Sequence, residues 1–146
     1  MIKSILISLS VGILSALLTK GNMDISSEIN TLITPPKILF PIVWSILYIL
    51  MGISSYIIYK SNSRYRKDAL LIYVCQLIVN FFWSIFFFNF RNFLLSFIWI
   101  IGLDILVILM IYYFYKIDKK ASLLQIPYLL WLIFASILTY QIYILN

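Results

Sequence analysis

Residues 92–115 read NFLLSFIWIIGLDILVILMIYYFY, with one charged side chain, Asp104, and no proline. About 20 predominantly apolar residues suffice to cross the hydrocarbon core of a bilayer as a helix, so this run by itself predicts a membrane span. Four more stretches, 2–19, 38–59, 69–90 and 121–145, are apolar in the same way and uncharged apart from Lys3. The composition agrees: 64% of the 146 residues are hydrophobic and 11% are charged, whereas about a quarter are charged in an ordinary soluble domain. Such a chain cannot dress a water-facing surface. Transmembrane strands would need alternating polarity, and an open strand in hydrocarbon would leave backbone groups unpaired. The expected fold is therefore all-α: a single integral-membrane domain, 1–146, of five transmembrane helices.

Apart from Lys3 and Asp104, the charges lie between the spans. Lys3, Lys60, Arg64, Arg66, Lys67, Lys116, Lys119 and Lys120 fall on one side of this topology and Lys20, Lys37 and Arg91 on the other. Positive residues accumulate on the cytoplasmic side. The expectation is thus a bacterial cell-membrane protein with a cytoplasmic N-terminus, the first loop and the C-terminus lying outside. No A-x-A-like site follows the first apolar run, so it is read as the first helix and not as a cleaved signal. The connection 20–37 is long for a compact bundle and is a candidate lid.

The net charge of +6 includes no histidine and one cysteine, which leaves no Cys/His zinc site, His-ligated haem or His-dependent triad. No cofactor or metal is expected. A nucleic-acid partner needs a basic face in water, and none is foreseen. Cys75 sits in an apolar run and is read as a packing residue.

Several residues stand out within the spans. Four-residue spacing after Pro35-Pro36 stacks Trp44, Tyr48, Gly52 and Tyr56 on one helix face. That pattern suits an interfacial aromatic belt with a glycine for close packing, or a ligand site. Gly52 and Ser55 fit intramolecular contact and a homodimer equally well. Gln76, Asn80, Trp83 and Ser84 share a face of the third span. An amide in the bilayer must find a partner, so Asn80 is expected to point inward, as glue between helices or toward a ligand. In the fifth span, Pro127, Tyr128, Trp131, Ala135, Ser136, Leu138 and Thr139 alternate rings, small side chains and hydroxyls. Asp104 costs at least ~2.5 kcal/mol if charged at mid-membrane, so it is partnered, protonated or functional. With no second buried carboxylate or lysine to complete an acid/base pair, hydrolysis is not expected.

The run Val43-Trp44-x-x-Leu47-Tyr48-x-x-Met51-Gly52-x-x-x-Tyr56, with Trp44 eight residues after Pro36, resembles the signature of the TspO/MBR family. That family comprises the translocator proteins, also called tryptophan-rich sensory proteins or peripheral benzodiazepine receptors. Leu77-x-x-Asn80-x-x-Trp83-x-x-x-Phe87-Phe88 and Pro127-Tyr128-Leu129-x-Trp131-x-x-Phe134-Ala135-x-x-Leu138 match its third- and fifth-helix motifs. The resemblance implies a five-helix bundle with a cavity, closed by the first loop, that binds porphyrins, sterols and isoquinoline-type drugs. It puts Trp44, Tyr48, Asn80, Trp83, Trp131, Ala135 and Leu138 on pocket-lining positions. Trp44 and Trp131 fall on the pocket tryptophans implicated in light-dependent porphyrin breakdown, and would be catalytic only if that photo-oxidation occurs.

Departures are also legible. Family members usually carry tryptophans flanking the Pro-Pro pair; here Leu32, Ile33 and Thr34 precede it and Ile38 follows. The family's fourth-helix aspartate aligns with Trp99, and Asp104, five residues on, points about 140° away on an ideal helix. A sterol-type pattern is met only formally, at Leu109, Tyr112 and Lys116.

A porphyrin is a flat, mostly apolar macrocycle with anionic side groups. It suits a slot between the planes of Trp44 and Trp131, beside Ala135, with Asn80 near the mouth and Lys37 to meet a carboxylate. The expected function is a sensor or transporter that binds porphyrins and related hydrophobic molecules in the bilayer. The alternatives are a light-dependent porphyrin-degrading enzyme using the same tryptophans and a small proton-coupled transporter using Asp104.

Overall fold

A computed structural model describes residues 2–18, 39–90 and 92–145. Six α-helices and one π-helical turn account for nearly all of them: α1 (Ile2–Leu18), α2 (Leu39–Tyr59), α3 (Arg66–Ser84) running into the π-turn Ile85–Asn89, α4 (Phe93–Ile117), α5 (Lys119–Leu124) and α6 (Ile126–Leu145). The described residues contain no strand. The expected all-α membrane bundle is thus the observed one. Four units are long and apolar enough to cross a membrane: Ile42–Tyr59, Arg66–Phe87, Phe93–Ile117 and Lys119–Leu145. The fifth, α1, has 17 residues, or about 25 Å at 1.5 Å per residue. The proposed lid, 20–37, lies outside the described residues, as do Pro35, Pro36 and Lys37.

Local chemistry sets the helix ends. Asn92 caps α4, its side chain accepting from Leu95 N at 3.2 Å, and Asp118 caps α5, accepting from Lys120 N at 2.8 Å and Ala121 N at 3.1 Å. α3 begins three residues before the expected 69, with Asp68 in its first turn, where the helix dipole favours an anion. The fifth span is broken at Gln125. Pro127 has no N–H to give the Leu123 carbonyl, so the chain tightens through Gln125 N to Ser122 O, 3.1 Å, and resumes with Leu129 N to Gln125 O, 3.1 Å.

Polarity is inverted relative to a soluble protein. Ile46, Leu71, Ile78, Ile98, Ile105, Leu130 and Ile137 point outward, while Ser8, Ser54, Gln76, Asn80, Ser96, Gln125 and Thr139 are buried. Lipid is as apolar as leucine, so the polar groups sit where they can bond across helices. Ser54 Oγ donates to Ala121 O at 2.7 Å and Ser122 Oγ to Ile111 O at 3.2 Å, tying α5 to α2 and α4. Cys75 corrects the sequence reading: it is exposed on the outer face of α3 and is not a packing residue. The inward stripe of α3 is Ala69, Tyr73, Gln76, Leu77, Asn80 and Trp83, and position 75 lies off it.

α1 and α2 approach each other closely. Ser8 Oγ donates to Tyr48 O at 2.6 Å. A Cβ added to Gly52 would collide with the Ile5 backbone, 2.8 Å from its N and nearer still to its Cα, and one added to Gly12 would lie 2.5 Å from Tyr48 Cε2. Gly52 is therefore the glycine of a close intramolecular crossing. Since backbone cannot yield as a side chain can, Gly52→Ala is expected to push α1 outward and cost about 1–3 kcal/mol. Reversible unfolding in mixed micelles measures this, and Gly102→Ala, whose Cβ meets nothing within 4 Å, is the matched control.

One end of the bundle gathers basic and aromatic side chains from separate connections. Lys116 Nζ stands 4.5 Å from the Tyr112 ring centroid and 5.1 Å from that of Tyr65. Arg64 donates to Tyr65 Oη at 2.8 Å, and this guanidinium holds the exposed Tyr65 hydroxyl below its usual pKa. The α2–α3 connection and the C-terminal end of α4 thus meet on the same side of the bundle.

Candidate functional site

Aromatic side chains of α6 and α2 meet across the bundle, bringing together residues 80 to 87 positions apart in the sequence. Tyr128 and Trp131 come opposite Tyr48 and Trp44. The Trp44 ring lies 5.8 Å from Tyr48, 6.3 Å from Tyr128 and 6.4 Å from Trp131, centroid to centroid, with interplanar angles of 30°, 67° and 90°. Trp131 in turn lies 5.2 Å from Phe134. Both tryptophans are half-buried, whereas Tyr48 and Tyr128 are buried. The two expected indoles do converge, at the inner edge of the bundle.

They do not form the parallel-walled slot expected from the sequence. A disc held between two parallel rings needs them about 7 Å apart, twice a carbon contact of about 3.5 Å. Here the indoles meet edge to face, at the favoured geometry for an aromatic pair. A flat ligand would therefore lie along one indole face, or enter as Trp131 turns aside.

Beneath the rings runs a buried polar chain. Tyr48 Oη donates to Asn80 Oδ1 at 3.0 Å, Asn80 Nδ2 donates to Tyr128 Oη at 2.8 Å, and Tyr128 Oη donates to Gln76 Oε1 at 2.7 Å. Gln76 Nε2 lies 3.9 Å from Met51 Sδ. Each hydroxyl gives its one proton once, so the chain is self-consistent and joins α2, α3 and α6. Of the two roles foreseen for Asn80, the structure displays the glue: the amide is 1% exposed and bonded at both ends. It thereby fixes the Tyr48 ring against which Trp44 rests.

The remaining candidates flank this centre. Trp83 is buried on α3 and stacks on Phe87 at 5.1 Å, and Phe87 meets Phe93 at 5.6 Å. The π-turn that follows Ser84 carries Phe87 inward; such turns recur at functional sites. Ala135 and Leu138, one and two turns beyond Trp131, are buried on the same face of α6, where the Ala135 carbonyl accepts from Thr139 Oγ1 at 2.7 Å.

Two residues of the centre were not singled out as site positions by sequence, Tyr128 and Gln76. Gln76 could have been paired with Asn80 by its four-residue spacing. Gly12, whose missing side chain admits the Tyr48 ring, carried no signal. Trp99 and Asp104 face different neighbours, as their spacing implied. Trp99 Nε1 donates to Val79 O at 2.8 Å on α3, while Asp104 Oδ2 lies 2.6 Å from Ser136 Oγ on α6. Among the described residues no group of three His, Cys, Asp or Glu side chains comes together to hold a metal.

Residues 4–145 match the TspO/MBR family. The chain is 39% identical to the tryptophan-rich protein TspO of the archaeon Archaeoglobus fulgidus over 148 aligned positions, covering 100% of this chain and 96% of that one. It is 30% identical to the translocator protein of Ovis aries, covering 75% of this chain and 66% of that protein. It is 28% identical to the tryptophan-rich sensory protein of Cereibacter sphaeroides, covering 77% and 70%. With four helices long enough to cross a bilayer and a polar interior inside an apolar coat, the chain is an integral membrane protein and belongs to the TspO/MBR family.

Proposed function

We propose that the chain binds porphyrins and related flat hydrophobic molecules from within the bilayer, as a sensor or transporter, at the aromatic centre between α2 and α6. The observation that carries this reading is the meeting of Trp44 and Trp131 over a fixed floor of Tyr48 and Tyr128. Most of the affinity would come from removing the macrocycle from water, at ~25 cal/mol per Å² of apolar area. Stacking on an indole adds roughly 0.5–1.5 kcal/mol. In this reading Trp44, Trp131, Ala135 and Leu138 touch the ligand, Trp83 closes its far side, and Asn80 acts through Tyr48. The basic end that holds Arg64 and Lys116 faces the cytoplasm of a bacterial cell, and the ligand site lies toward the opposite face.

The test is a titration with protoporphyrin in darkness. Saturable quenching of tryptophan fluorescence is expected. Folded protein whose fluorescence does not respond would refute the proposal.

A further inference from the structure

We propose that Asp104 is a proton-binding site within the membrane, held as the neutral carboxylic acid between α4 and α6. The protons available at Ser136 and Asp104 decide this, whatever ligand the protein binds. Ser136 Oγ lies 2.6 Å from Asp104 Oδ2 and 2.8 Å from Leu132 O, the carbonyl one turn earlier on α6. A hydroxyl has one proton, and a carbonyl oxygen can only accept. Two oxygens 2.8 Å apart with no proton between them repel, so the serine proton belongs to Leu132 O. The 2.6 Å contact, at the short end for O–H···O, then needs a proton of its own. The carboxyl is the remaining source. Asp104 Oδ2–H thus donates to Ser136 Oγ, which donates to Leu132 O.

The other carboxyl oxygen agrees. Asp104 Oδ1 is buried and has no hydrogen-bond donor. That is a modest cost for a neutral carbonyl oxygen and a very large one for half of a carboxylate. Among the described residues no cation is placed against this carboxyl. Lys116, the next basic residue along α4, is 12 positions away, about 18 Å of helix. α3 carries no charged side chain from Ala69 to Ser84 and α6 none from Ile126 to Leu145. Loss of the proton would leave an uncompensated carboxylate oxygen here, so it is favoured by any parting of α4 and α6 that admits water to Oδ1, which couples one proton to the separation of these two helices.

Infrared difference spectroscopy of the full chain in liposomes at neutral pH tests this. Wild type minus Asp104→Asn is expected to show the C=O stretch of one un-ionised carboxylic acid, wholly lost in the variant. Ser136→Ala is expected to keep that band and move it to higher frequency, since the acid loses its acceptor. A difference spectrum with only carboxylate stretches would overturn the proposal, as would a band that Ser136→Ala leaves in place. If Asp104→Asn does not fold, wild type alone decides the matter. Water-exposed carboxyl groups ionise near about pH 4, so a surviving acid band at neutral pH is the buried one, and its absence refutes the assignment.

Discussion

Asn80→Ala is expected to cost about 2–3 kcal/mol of stability, more than any hydroxyl deletion in the same chain. Interhelical hydrogen bonds in membranes contribute about 0.6 kcal/mol on average and up to about 1.7, and Asn80 makes two. Its loss also leaves the Tyr48 hydroxyl, which is buried, with a proton and no acceptor, and an orphaned buried donor costs about 1–3 kcal/mol. Tyr128→Phe should follow, because it leaves Gln76 Oε1 and Asn80 Nδ2 each without a partner while keeping the ring. Tyr48→Phe should be mildest, since only Asn80 Oδ1 is left unpaired. Unfolding of the three variants in one micelle system checks the order. Equal effects would mean that the bonds act independently and that Asn80 is not their hinge. A porphyrin affinity that falls in step with Tyr48 disorder would follow from the floor moving under Trp44.

If the proposed site is correct, removing Trp44 or Trp131 is expected to have the largest effect on ligand binding. Trp44→Ala and Trp131→Ala each delete a stacking surface and part of the apolar contact, together about 1.5–3 kcal/mol, or about 10- to 100-fold in Kd. Trp131→Phe keeps a ring and should lose less than tenfold. The internal control is Trp99→Phe. That indole is tied to Val79 O and packs edge to face on Phe86 at 5.0 Å, so its replacement should weaken the α3–α4 contact and leave the affinity alone. Soret-band titrations in darkness separate these outcomes.

How much of this was readable beforehand divides along a physical line. Span number and helix type follow from hydropathy, which responds to the bilayer itself, and α4 matches the run 92–115 closely. Facing does not follow from it. In α3 apolar side chains surround the helix because lipid and core are equally greasy, so Cys75 was misplaced and only the polar residues Gln76 and Asn80 pointed inward reliably. Contacts that depend on two helices at once were also hidden. Nothing in the sequence near Gly12 says that the Tyr48 ring fills its space, and nothing near Trp44 says that Trp131 meets it at a right angle. The break at Gln125 was within reach, since Pro127 removes a helical hydrogen bond wherever it stands. Asp104 was visible as an anomaly, but its Ser136 contact required the α4–α6 register.

The most direct measurement is the indole N–H spectrum of the four tryptophans, each assigned by its Trp→Phe variant, before and after protoporphyrin is added in darkness. Ring-current shifts fall off steeply with distance. Trp44 and Trp131 are expected to move together in saturable fashion while Trp99 stays fixed. A folded protein that binds the porphyrin with Trp44 and Trp131 unmoved, or with Trp99 shifted most, would contradict the proposed site.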